Sequence, residues 1–271
     1  MILWWPQGAP LHWRMTWSGG TVAWTDDGLG QAGLMHHRRV RPPVQRSGFA
    51  GFRFPPEVIT LAVRWYLRYG LSYRDVEELL AERGVQVDHV SIFRWVQRFT
   101  PLLAEAARPC RHRVGDRWWV DETYVKVSGR WRYVYRAIDQ FGQVIDVYVS
   151  PRRDGCAARR FFTQALATTK VIPVEVTTDK AAVYPYVLEA LAPDAWHCTE
   201  VYANNRMEAD HGQLKRRLRP MRGLKSDHQA RIIIAGHAFI QNIRRGHYEL
   251  GVDQAVTLRV AVAFDELSMA I

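Results

Sequence analysis

The chain has 271 residues and a mass of 31.3 kDa, and with 48% hydrophobic and 24% charged residues it belongs among globular proteins rather than disordered or fibrous ones. Lys and Arg number 37 against 27 Asp and Glu, a net charge of +10 with a pI near 9.8. That balance points to a polyanionic partner. No uninterrupted apolar run of roughly 18 residues supports a membrane span, so nucleic acid is the expected partner and a membrane is not. The three cysteines, Cys110, Cys156 and Cys198, have no C-x-x-C spacing, which argues against a disulfide framework or zinc ribbon and fits a reducing cytoplasm.

Residues 1–48 hold five of the 11 tryptophans, set among glycines with no helical or strand periodicity, and are expected to be a poorly ordered N-terminal extension. They lack the ordered features of a signal peptide. His36 to Arg46 is basic and proline-bearing, like a linker or a DNA-contacting arm.

From Pro55 the pattern turns helical. Pro56 suits a first helical position and Gly70 a stop. Ser72 with Asp75 three residues on caps a second helix that ends by Gly84, and Asp88 caps a third. In the third, Ile92, Trp95, Val96 and Phe99 form an apolar stripe, while His89, Ser91, Arg94, Gln97 and Arg98 lie away from it. Three short helices whose last presents Ser, Arg and Gln predict a helix-turn-helix region over 49–108, with Ser91, Arg94, Gln97 and Arg98 as DNA contacts. An ordinary helical bundle with a solvated charged face is the alternative.

After an expected linker over 100–116, the period becomes two. Trp118 to Val127, Trp131 to Asp139 and Gln143 to Ser150, separated by Ser128-Gly129-Arg130 and Phe141-Gly142, predict a three-stranded antiparallel meander. A helix over 157–168, a strand over 174–178, a helix over 181–191, a short strand over 196–199 and a helix over 204–218 complete a βββαβαβα order. A further helix covers 227–245, and 249–271 is expected to be a C-terminal tail with weak helical character.

Three acids hold notable places in that order: Asp121 inside the first strand, Asp179 just past the fourth, and Glu208 in the helix after the fifth. Carboxylates from separate elements suit hard divalent ions that complete their shell with water and phosphate. Singly, Asp179 could cap a helix and Glu208 could be a solvated acid, with Glu122, Asp139, Asp154 and Asp210 as competitors. Asp121 stands out because it interrupts a strongly apolar strand, where a buried acid needs a metal or charge partner.

The strings WWVDETYVKVSGRWRYVYRAID, TTDKAAVYPYV and YANNRMEADHGQLKRRLRPMRGLKS resemble the three blocks of the DDE transposases of bacterial insertion sequences, most closely the insertion-sequence-six group. The helical stretch from Phe52 is similar to that group's N-terminal DNA-binding region. The resemblance implies an α/β, RNase H-like catalytic domain over 109–248, preceded by the all-α helix-turn-helix region. It places the family's two aspartates and its glutamate on Asp121, Asp179 and Glu208 as catalytic metal ligands. The basic residue that members carry seven positions after the glutamate falls on Lys215. Seven steps return to nearly the same helix face, so Glu208, His211 and Lys215 share a stripe. Lys215, Arg216 and Arg219, within a basic run that includes Arg217, are expected to meet DNA phosphate. The spacing from Asp179 to Glu208 is about six residues shorter than the family's usual one, a difference assigned to the loop before Trp196.

The implied function is binding of terminal inverted repeats, then DNA cleavage and strand transfer with Mg2+, or Mn2+ in its place, acting as two ions. The implied partners are double-stranded DNA of the element ends and target, and a homodimer or larger assembly. The implied location is the bacterial cytoplasm at the nucleoid. The alternatives are a non-catalytic DNA-binding protein and an RNase H-like nuclease without strand transfer.

Overall fold

The computed structural model describes the backbone of residues 13–18 and 21–26, and residues 47–200, 204–221 and 223–271 in full. The basic arm at 36–46, Trp4, Trp5 and Arg222 lie outside the described residues. Strands β1 (Trp13–Ser18) and β2 (Thr21–Asp26) pair antiparallel, Trp13 opposite Asp26 and Ser18 opposite Thr21. This corrects the expectation of no regular element in 1–48. Trp13, Met15 and Trp17 alternate with Arg14, Thr16 and Ser18, and Gly19-Gly20 is a two-residue hairpin signal.

Residues 46–271 form a separate compact unit. Its helices α1 (Pro56–Arg68), α2 (Tyr73–Ala81) and α3 (His89–Ala106) begin where their caps dictate. Pro56 opens α1. Ser72 and Asp75 form a reciprocal capping box on α2, and the Asp88 carboxylate accepts from the N–H groups of Val90 and Ser91. Helix α3 runs through Pro101 to Ala106, although 100–116 was expected to be a linker. Proline there removes one backbone donor, but Phe99, Thr100 and Leu103 remain buried, and that packing carries the helix past it.

The meander is β3 (Arg117–Val127), β4 (Arg130–Asp139) and β5 (Val144–Ser150). Ser128 and Gly129 turn β3 into β4 with positive φ of 47° and 78°. Helix α4 (Gly155–Thr169) leads to β6 (Glu175–Thr177), and α5 (Val183–Leu191) leads to β7 (Trp196–Cys198). The five-stranded sheet has the order β5-β4-β3-β6-β7, with β3, β6 and β7 parallel. Helices α6 (Asn205–Leu218), α7 (Asp227–Arg245) and α8 (Arg259–Ala270) follow.

The two faces of the sheet bury different partners. Trp118, Val120, Tyr135 and Ala137 pack with Phe161, Phe162, Tyr184 and Leu188 of α4 and α5. Val125, Val127, Val134 and Val149 join a larger core with α1, α2, α3, α7 and α8. Two expected boundaries therefore fall inside a continuous core. Position 108/109 marks the change from helix to strand, but the two sides share apolar contacts. The expected tail contains α8, whose Val260, Ala263, Phe264 and Leu267 are buried in the same core.

Candidate active site

The site begins with the alternation of β3. Trp118, Val120 and Glu122 face α4 and α5, while Trp119, Asp121 and Thr123 face the other side, where α6 crosses β3. Asp179 follows β6, the parallel neighbour of β3, so it comes level with Asp121 inside β3 just past the end of β6. Carboxylate oxygens of Asp121, Glu122 and Asp179 lie within 4.8 Å of one another.

These acids are held differently. Glu122 is nearly fully buried, and its carboxylate pairs with Arg153 and accepts from the Tyr184 hydroxyl. Arg153 also donates to Asp179 at 3.1 Å, so one guanidinium bridges both acids. Asp179 also accepts from the Ala181 N–H at 3.0 Å, which fixes its carboxylate at the start of the next segment. Among the described residues, Asp121 has only the Glu122 N–H, at 2.8 Å, and His211 Nδ1 at 3.7 Å. Burial, then the charges of Glu122 and Asp179, push the Asp121 carboxyl up to about 7. His211 is itself buried, and burial together with Arg136 holds its imidazole at about 4, so it is neutral and supplies no countercharge at pH 7. Asp121 is thus an under-compensated carboxylate beside two others. Hard oxygen donors with excess negative charge fit a divalent cation.

Glu208 stands outside that group. It is exposed on α6 and lines a cleft of about 250 Å³ with Asp179, Lys180, Thr199 and Asn204. Asn204 donates to the Val120 carbonyl at 3.3 Å, which ties the start of α6 to β3. Below it, Asp210 is buried between Arg136 and Arg245, the latter at 2.7 Å. Burial alone would raise the Asp210 carboxyl, but the two guanidinium groups hold it below its usual range. This pair fastens α6 to β4 and α7.

The competing acids are occupied with structural tasks. Asp139, fully buried, accepts from the N–H groups of Gly115, Phe141 and Gln143, and Asp154 caps α4 through the Ala157 N–H. Asp210 is the buried ion pair just described.

The basic run after Glu208 divides. Lys215, Arg216 and Arg219 are exposed, with the Lys215 ammonium 5.3 Å from the Tyr124 ring. Arg217 is buried. It lies over the Tyr66 ring at 4.6 Å and donates to the carbonyls of Tyr66 and Leu67, so it locks α6 to α1 rather than facing solvent.

On α3, Arg94 and Arg98 are exposed, Arg98 with its guanidinium 5.7 Å from the Phe52 ring. Two other expected contacts are engaged within the protein. The Gln97 amide is shielded from solvent beside the Tyr73 hydroxyl, because residue 97 turns toward α2. The Ser91 hydroxyl donates to the Asp88 carboxylate at 3.0 Å, within the helix cap. Arg153 and the Tyr184 hydroxyl went unnoticed in the sequence, where neither has a spacing that signals it.

Residues 115–247 match the DDE domain family. A transposase for the insertion sequence-like element IS431mec of Staphylococcus aureus is 42% identical over 169 residues, which span 60% of this chain and 75% of that one. This chain belongs to the DDE transposases of bacterial insertion sequences, insertion-sequence-six group. A second Staphylococcus aureus relative, the transposase for element IS257 in transposon Tn4003, is 41% identical over the same shares. Among solved structures, the HTLV-2 integrase catalytic core domain in complex with magnesium, dimeric form, aligns over 39% of this transposase and 71% of that chain, with 19% identity and a TM-score of 0.32. The BIV integrase catalytic core aligns over 50% and 88%, with 16% identity and a TM-score of 0.36. The transposase has the RNase H-like strand order, three antiparallel strands followed by two parallel ones on the far side of β3. No helix among its described residues is long and apolar enough to cross a membrane.

Proposed function

We propose that this transposase binds the terminal inverted repeats of its element as double-stranded DNA and catalyses cleavage and strand transfer. Asp121, Asp179 and Glu208 are its metal-holding carboxylates and Mg2+ is its ion. The observation that carries this reading is the convergence of Asp121 and Asp179 at adjacent parallel strands, with Glu208 on the cleft that Asp179 also lines. Asp121, Asp179 and Glu208 would hold two Mg2+ ions, which would lower the pKa of the attacking water or hydroxyl and offset charge on the phosphate.

The remaining work belongs to the chain. Arg153 and Tyr184 hold Glu122 and Asp179 in place, so the carboxylates are positioned before DNA arrives. The Arg136–Asp210–Arg245 triad fixes α6 and with it the height of Glu208 over the sheet. Lys215, two turns from Glu208 and exposed, is placed to take a DNA phosphate beside the reacting bond, with Arg216 and Arg219 extending the basic track. Arg94 and Arg98 on α3 are the contacts that reach the terminal repeat. Both element ends must meet, so the working form is a dimer or larger assembly.

The test is Asp121→Asn, Asp179→Asn and Glu208→Gln, each assayed on a linear duplex carrying the terminal repeat. Each variant is expected to lose Mg2+-dependent cleavage and joined products while still binding the duplex. Near-wild-type cleavage by any one variant removes that residue from the site. Cleaved but never joined DNA from the wild type identifies a nuclease instead.

A further inference from the structure

A second cleft, of about 780 Å³, opens on a different side of α6 from the one that carries Glu208, between the C-terminal end of α1, α6 and α7. Arg68, Arg216, Arg217 and Arg244 line it, and no carboxylate does. Among the described residues, Arg68, Arg216 and Arg244 have no acidic partner within salt-bridge distance. Like charges gathered without a counterion repel. Burial, then Arg68 and Arg245, lower the pKa of Arg244.

Unpaired donors also lie buried on residues of the cleft wall. Arg217 is 5% exposed, and its Nη1 has no partner although its other nitrogens are bound to backbone carbonyls. His237 is 3% exposed, and its Nδ1 is also without a partner. The Gln241 amide has its orientation fixed, because its oxygen accepts from Arg244 at 3.3 Å. Its nitrogen therefore faces His237 Nε2 at 3.1 Å and donates to it. The proton of the neutral imidazole then sits on Nδ1, a buried donor with nothing to receive it.

One residue on the rim suits an occupied cleft. Gly212 lies in the interior of α6, where glycine is less favourable than alanine, yet a Cβ added there meets nothing within 4 Å. Packing does not require glycine there, and its bare backbone leaves room for a ligand to come close to the helix.

We propose that this cleft is a phosphate-binding seat, taking a phosphodiester of the DNA backbone at a point separate from the metal carboxylates. Guanidinium forks with no carboxylate beside them match an acceptor-only anion. The inference rests on the DNA-binding reading above, and it adds a second place where the backbone is gripped.

Two variants test it. Arg68→Gln/Arg244→Gln removes charge from the rim, and Gly212→Leu fills the cleft without changing charge. A labelled duplex of the terminal repeat is titrated at several salt concentrations, and the melting temperature is read with and without pyrophosphate. Each neutralised phosphate contributes about −0.9 to the slope of log affinity against log salt, so both variants are expected to flatten the wild-type slope by about one unit. Both should also lose the rise in melting temperature that pyrophosphate gives the wild type. Loss of the pyrophosphate response with an unchanged DNA slope would support the seat but assign it to free phosphates. Wild-type slope and pyrophosphate response in both variants would overturn it. Cleavage by the wild-type preparation is read in parallel, so failure of the transposase reading shows as absent cleavage and is distinct from either result.

Discussion

His237 is surrounded by Arg136, Asp210, Arg217 and Arg245, and burial first, then Arg136, holds its imidazole down at about 3. The unfolded chain takes up this proton near pH 6.5 and the folded chain does not, so stability falls as pH drops from 6.5 toward 3. His237→Gln, which keeps a polar group beside Gln241, should flatten that acid limb, with a difference of roughly 2 kcal/mol near pH 5. Urea unfolding at pH 7 and pH 5 measures it, and equal pH dependence in the two proteins would mean that His237 is protonated when folded. Single residues also mark the limit of what sequence discloses. Asp121 was legible because an acid interrupts an apolar strand. Arg217 and Gln97 were not, because a basic run or a polar helix position looks the same whether it meets solvent or a neighbouring helix. The Glu122–Tyr184 hydrogen bond joins residues 62 apart in the chain, and no local pattern encodes that meeting.

Helix α3 illustrates the same point at the scale of an element. Its cap, its apolar stripe and its polar positions were all readable. Its length was not, since Pro101 ordinarily ends a helix and only tertiary packing carries this one further. The consequence for DNA is selective. Arg94→Ala should reduce discrimination between the terminal repeat and random duplex by roughly 1–3 kcal/mol, the value of a good base contact. Gln97→Ala should leave discrimination unchanged, because its amide lies against α2. Competition binding with the two duplexes decides this. Equal losses for Arg94→Ala on both duplexes would show that it touches phosphate alone. Among strands, the long alternating members of the meander were legible almost to the residue. The β1 and β2 hairpin was passed over because its tryptophans suggested irregularity and masked a period of two.

For the molecule as a whole, the loop to which the shorter Asp179–Glu208 spacing is assigned consists of residues 192–195, between α5 and β7. The sheet order survives this shortening. The C-terminal segment matters more than a tail would. Phe264 is 1% exposed in the core shared by α1, α3 and α7, so Phe264→Ala should cost about 3–5 kcal/mol, a large part of a typical folding free energy. A chain ended at Gln254 should lose soluble, cooperatively melting protein. Thermal unfolding checks both, and an unchanged midpoint for Phe264→Ala would make α8 peripheral.

The core that joins the three N-terminal helices to the sheet has a consequence for where DNA is cut. Val125, Val127, Val134 and Val149 of the strands lie in one apolar body with Ile92, Phe99 and Leu103 of α3, so no hinge separates the exposed arginines of α3 from Asp121 inside β3 and Asp179 after β6. A protein with its reading head on a flexible tether would tolerate added base pairs between the recognised sequence and the cut. With α3 as the proposed reading head, the interval here is set by the fold, which acts as a caliper whose opening is measured in base pairs.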